Sequence, residues 1–115
     1  MTMKDYISED SLGNLFNSEY KPDYANNGDR YHGYSNNSQE ALFYYFAVLG
    51  YDLQFDYKGR TYYFLSEDAY VARCDKDFRT ELEVFDNANV MFRTFLIDGT
   101  PLINIVDNLE NADIH

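Results

Sequence analysis

The chain has no tryptophan, one cysteine, two prolines and two histidines in 115 residues. A single cysteine, Cys74, excludes an intrachain disulfide, so any core must hold by packing alone. Cys74, His32 and His115 show no metal-ligand spacing, which argues against a zinc site. No apolar run approaches the roughly eighteen residues that a membrane helix needs, and no basic-headed apolar start resembles a signal peptide. A cytoplasmic location is expected. Basic residues are scarce: nine Lys and Arg stand against twenty Asp and Glu, giving a net charge of −11 and a pI near 4.3. Phosphate attraction supplies most non-specific affinity for nucleic acid, and here it turns into repulsion. Direct nucleic-acid binding and membrane attachment are therefore not expected. No GxSxG, HExxH, phosphate-binding glycine loop or CxxC occurs, so the expectation is a non-enzymatic protein without a cofactor.

What the chain has in quantity is tyrosine and phenylalanine, twelve and nine of them. They concentrate between Tyr51 and Asp86, where apolar and polar residues alternate. Period-two alternation rich in Tyr, Phe and Val predicts half-buried strands. Leu53 to Tyr57 and Thr61 to Leu65 form a hairpin about Lys58-Gly59, with Leu53, Phe55 and Tyr57 on one face and Gln54 and Asp56 on the other. Tyr70 to Cys74 gives a third strand after the Ser66-Glu67-Asp68 turn. Phe78 to Phe85 gives a fourth after Asp75-Lys76-Asp77. In that fourth strand Phe78, Thr80, Leu82 and Val84 should point inward, leaving Arg79, Glu81 and Glu83 outside.

The flanks read as helical or irregular. Ile7, Leu12, Leu15 and Phe16 suggest a short helix within 1–17, weakened by Gly13. Residues 17–37 are rich in Asn, Gly and Tyr, a loop long enough to be flexible or functional. Its Asp23-to-Gly28 run fails as a calcium loop, because Ala25 and Tyr34 occupy ligand positions. Asn37 or Ser38 should cap a helix ending at Gly50, with Leu42, Phe43, Phe46 and Leu49 on its apolar face and Tyr45 as a further candidate. Asp86 should cap another over Asn87 to Leu96. Thr100-Pro101 should open a last one, since Leu102, Ile105, Val106 and Leu109 recur at helical spacing. The tail from Glu110 is expected to fray. The sum is an α+β fold: an antiparallel meander of three or four strands packed with three or four short helices. Residues 1–37 form an N-terminal segment and 38–115 the α+β domain.

The meander and its turns carry Asp52, Asp56, Glu67, Asp68, Asp75, Asp77, Glu81, Glu83 and Asp86. Asp75/Asp77 and Glu81/Glu83 are same-face pairs if their strands hold. A stiff surface presenting carboxylates a few ångströms apart can imitate duplex phosphates, which bring roughly one charge per 1.7 Å of axis. Tyrosines among them, Tyr62 and Tyr70, would be rigid anchors of the kind interfaces favour. Strong acidity and the Tyr57-Lys58-Gly59-Arg60-Thr61-Tyr62 hairpin resemble small phage-encoded anti-defence proteins, among them acidic anti-CRISPR proteins that block Cas9-type effectors at their DNA-reading site. Residues Ile97 to Ile105 are similar to an Ile-Asp-Gly-x-x-Leu-x-x-Ile ending found in many small phage proteins. The expected function is an inhibitor that binds a basic nucleic-acid-handling protein through an acidic, DNA-mimicking surface. The alternative is an immunity-type or other interaction module whose acidity is incidental.

Overall fold

The computed structural model describes residues 6–9, 15–17 and 39–115, and among these no helix is long and apolar enough to cross a membrane. Its elements are α1 (Gln39–Ala47), β1 (Leu53–Tyr57), β2 (Arg60–Ser66), β3 (Val71–Cys74), β4 (Glu81–Phe85), α2 (Ala88–Thr94), β5 (Leu96–Ile97), β6 (Thr100–Pro101) and β7 (Glu110–Ile114). Lys58 and Gly59, at φ 50° and 78°, form the two-residue turn whose twist matches that of the paired strands. Leu53 then faces Phe64 and Phe55 faces Tyr62 across the hairpin. All neighbours pair antiparallel in a five-stranded sheet ordered β4-β3-β2-β1-β7.

The sequence-based fold class is corrected in its helices. The described residues hold two α-helices, not three or four, and the sheet gains a strand at its far edge. Residues 100–109 are not α-helical: they run from β6 into two short 3-10 turns, Leu102–Asn104 and Val106–Asn108. The helical spacing did mark the buried set, since Leu102, Ile105, Val106 and Leu109 are all buried. Successive 3-10 turns also bring residues three or four apart to one side. Ile105, at φ −126° and ψ 12°, interrupts the path, and Asn104, Asp107 and Asn108 are residue types of low helix propensity. Residues 110–114 pair with β1 as β7, burying Ile114. Of the helix expected within 1–17, only residues 6–9 and 15–17 are described, and there Ile7 and Phe16 form an antiparallel bridge. The Asn/Tyr-rich loop lies outside the described residues, apart from Asn17, as do Asn37 and Ser38, the N-caps expected for α1.

Two further corrections concern β4 and α2. Phe78 belongs to a 3-10 turn, Lys76–Phe78, and β4 begins only at Glu81. A register shift at Arg73/Cys74 sets Cys74 opposite Glu81 but Arg73 opposite Glu83. The extra residue inverts the expected alternation: Phe85 is buried, while Leu82 and Val84 are 50% and 59% exposed. A one-residue slip exchanges the two faces of a strand. Here it places the aromatic Phe85 against Phe95, with ring centroids 6.2 Å apart. α2 is capped by Asn87, whose side chain accepts the Val90 N–H at 2.8 Å, and not by Asp86.

One sheet face packs against α1, α2 and the 102–109 turns. Phe43, Tyr45 and Phe46 of α1, Phe55 and Phe64 of the hairpin and Phe92 of α2 are almost wholly enclosed. Edge-to-face contacts link Phe43 to Phe92 and to Phe55 at 5.5 and 6.1 Å, the geometry that aromatic quadrupoles favour. Leu15 and Phe16 join the same core. Arg93 fastens their segment by donating to the Ser8 carbonyl as well as to Asn89 Oδ1.

Candidate partner-binding groove

The predicted site residues do not form one row. Tyr62 turns to the core side, stacked on Phe55 at 5.5 Å and edge-on to Phe95 at 6.0 Å. Glu83 lies across from Arg73, 3.7 Å from its Nε, and Arg73 itself rests over the Phe95 ring. Glu81 takes the opposite face, where its Oε2 accepts the Tyr70 hydroxyl at 2.8 Å. That hydrogen bond, with the carboxylate's charge, raises the Tyr70 pKa above the ordinary phenol value. The Glu81/Glu83 pair is thus split by the β4 slip, and its expected common face is corrected.

Other predicted carboxylates hold the fold. Asp52 Oδ1 accepts the Ser66 N–H at 2.9 Å and ties the end of β2 to the start of β1. Asp56 accepts from Thr61 Oγ1 at 2.6 Å and from Asn111 Nδ2 at 2.9 Å, linking β1 to both neighbours. These two bonds hold its pKa below the usual carboxylate value, the Thr61 bond more strongly. Asp75 Oδ1 accepts the Thr80 N–H at 2.7 Å and closes the turn before β4. The second sheet face is not purely acidic either. Phe78 folds over it against Tyr63 and His115, each 5.3 Å away. Cys74 is buried there, and burial pushes its thiol pKa up.

Glu67, Asp68, Asp77 and Asp86 are exposed and stand apart from these bonds. Asp77 sits at the hairpin end of the sheet, where the neighbouring segments also carry Lys58, Arg60, Lys76 and Arg79. The structure brings Glu67, Asp68 and Asp86 to the other end, around an open groove of about 350 Å³. Its walls are residues 47–50 at the end of α1, 66–71 from the end of β2 to the start of β3, and 86–88 at the entry to α2. Tyr70 lines it as well, and none of the lining residues is Lys, Arg or His.

The groove combines charge with an apolar floor. Val48 and Leu49 line it and are 42% and 44% exposed, although their N–H groups still donate to the Tyr44 and Tyr45 carbonyls in the last turn of the helix. The α1 C-terminus contributes the negative end of its dipole, and no basic residue occupies its last turn. Sequence reasoning put Leu49 in the core and missed this wall. Gly50, at φ 83°, marked the helix end but not the exposure of Val48 and Leu49 just before it. At the hairpin end, a second opening of about 530 Å³ is lined by Arg60, Arg73 and Lys76 together with Asp75, so charge there is mixed. No protein-family model, curated protein or solved structure matches the chain.

Proposed function

We propose that the protein acts by binding, not catalysis: it inhibits a basic nucleic-acid-handling protein in the cytoplasm, a Cas9-type nuclease being the specific case. The observation that carries this reading is the uncompensated groove, where Glu67, Asp68 and Asp86 surround the exposed Val48 and Leu49 with no cation among them. A lysine or arginine has the matching shape, with an apolar stem for the floor and a charged head for the rim. Cationic side chains that line a phosphate-binding channel would be engaged here in place of nucleic acid. The supporting geometry is an acidic end of the sheet, and it replaces the continuous carboxylate face expected from the sequence.

The test is capture of a nuclease from host lysate at low and high salt, followed by competition with duplex DNA. Binding should weaken with salt, and DNA should displace the protein. Converting Glu67→Gln, Asp68→Asn and Asp86→Asn together should weaken binding by about tenfold or more, since each rim charge contributes up to about 1 kcal/mol. Undiminished binding by that variant would sink the proposal.

A second reading rests on the exposed Leu82, Val84 and Leu96, each at least half accessible. An interaction module that binds through these residues would keep its partner at high salt and lose it on Val84→Lys.

A further inference from the structure

β4 ends the sheet, and no described segment pairs with its outer edge. An unpaired edge presents a row of N–H and C=O groups that can template another strand. Most edges are blunted by short length, charge or a bulge, and β4 has some of each: five residues, two glutamates and a register shift. Yet it also exposes Leu82 and Val84. Among the described residues, every exposed large hydrophobic except Leu96 lies on β4 or in the groove that opens at Asp86, directly after it.

The charges decide which strand fits. Antiparallel pairing of two copies centred on Glu83 would set Glu83 against Glu83, with Leu82 against Val84. Like charges directly opposite each other destabilise a strand pair, whereas opposite charges stabilise it. A second copy is therefore disfavoured and a cationic strand is favoured. We infer that β4 accepts a sixth strand from an extended, lysine- or arginine-bearing segment of the partner, whose end continues past Asp86 into the acidic groove. Alternation on the added strand would set a basic side chain near Glu83 and an apolar one beside Val84 on the other face. This inference rests on the basic-partner reading above and adds the backbone geometry of the contact.

The probe is a short acetylated peptide alternating lysine and valine, compared with the same peptide N-methylated at alternate amides. The measurements are affinity and amide hydrogen exchange at Glu81–Phe85. The expected result is slowed exchange along β4, with binding weakened by about tenfold on N-methylation through lost backbone hydrogen bonds. Glu83→Lys should weaken binding comparably while circular dichroism stays unchanged. If the N-methylated peptide binds equally well and only the Glu67/Asp68/Asp86 neutralisation abolishes binding, strand addition is overturned and the groove reading stands. No binding by either peptide also overturns strand addition, and nuclease capture then judges the groove separately. Slow β4 exchange before peptide is added would mean that the chain covers its own edge. A concentration-dependent dimer abolished by Val84→Lys would assign the edge to a second copy. Either result overturns the proposal.

Discussion

Tyr70, just before β3, and Glu81, the first residue of the antiparallel β4, are joined by a hydroxyl-to-carboxylate bond of 2.8 Å, and the bond constrains how the tyrosine titrates. Its folded pKa lies above the unfolded value, so its contribution to stability is complete below about pH 10 and lost as pH rises through the folded pKa. Difference absorbance against Tyr70→Phe should show phenolate forming above the ordinary range, and Glu81→Gln should move it back toward normal. Asp56 behaves in the opposite sense. Thr61 and Asn111 lower its pKa, so its contribution is present above about pH 4 and lost as pH falls through the folded value. Urea unfolding across acidic pH should show that Asp56→Asn removes part of the acid sensitivity. An unchanged pH profile would mean that these bonds contribute nothing net. At this scale the sequence located the charges but not their partners. Tyr62 lies in β2 and Tyr70 just before β3, and one stacks in the core while the other hydrogen-bonds at the surface. A tyrosine has an apolar body and a polar tip and suits either place.

Strand and turn elements were legible where local chemistry speaks alone. The Lys58-Gly59 hairpin follows from left-handed turn residues between alternating strands. Asp98-Gly99 carries the same signal, with φ 52° and 81°, and it closes the β5–β6 hairpin instead of merely stopping a helix. β7 was obscured because its five residues, Glu-Asn-Ala-Asp-Ile, offer only Ala112 and Ile114 as apolar positions. Its formation depends on β1 being present to receive it, a long-range condition that no local window contains. Ile114→Ala should therefore cost about 2–5 kcal/mol by urea unfolding, as buried aliphatic truncations do. Val84→Ala should cost less than about 0.5 kcal/mol, the usual range for surface positions. Equal costs would contradict the strand register found for β4.

Across the whole molecule, a net charge of −11 acts on folding and association with opposite signs. Self-repulsion destabilises the compact chain, and added salt screens it, so the melting temperature should rise with sodium chloride. Partner binding through the groove should weaken over the same range. A melting temperature that fell with salt would show that attractive pairs, such as Arg73 with Glu83, outweigh the repulsion. The sequence by itself determined the α+β class, the Lys58-Gly59 hairpin and much of the core, because these follow from side-chain period, turn residues and apolar volume, though not the exposure of Leu49, Leu82 and Val84. It also determined the acidity. Only the tertiary structure decided where that acidity acts. The β4 slip divided Glu81 from Glu83, and Asp52, Asp56 and Asp75 were taken up as backbone and turn anchors. The packing of α1 on the sheet then set Val48 and Leu49 beside Glu67, Asp68 and Asp86. Some of these contacts span only a turn, as Asp56 with Thr61 and Asp75 with Thr80 do, and others join separate segments, but a charge pattern read along one strand contains no information about either kind.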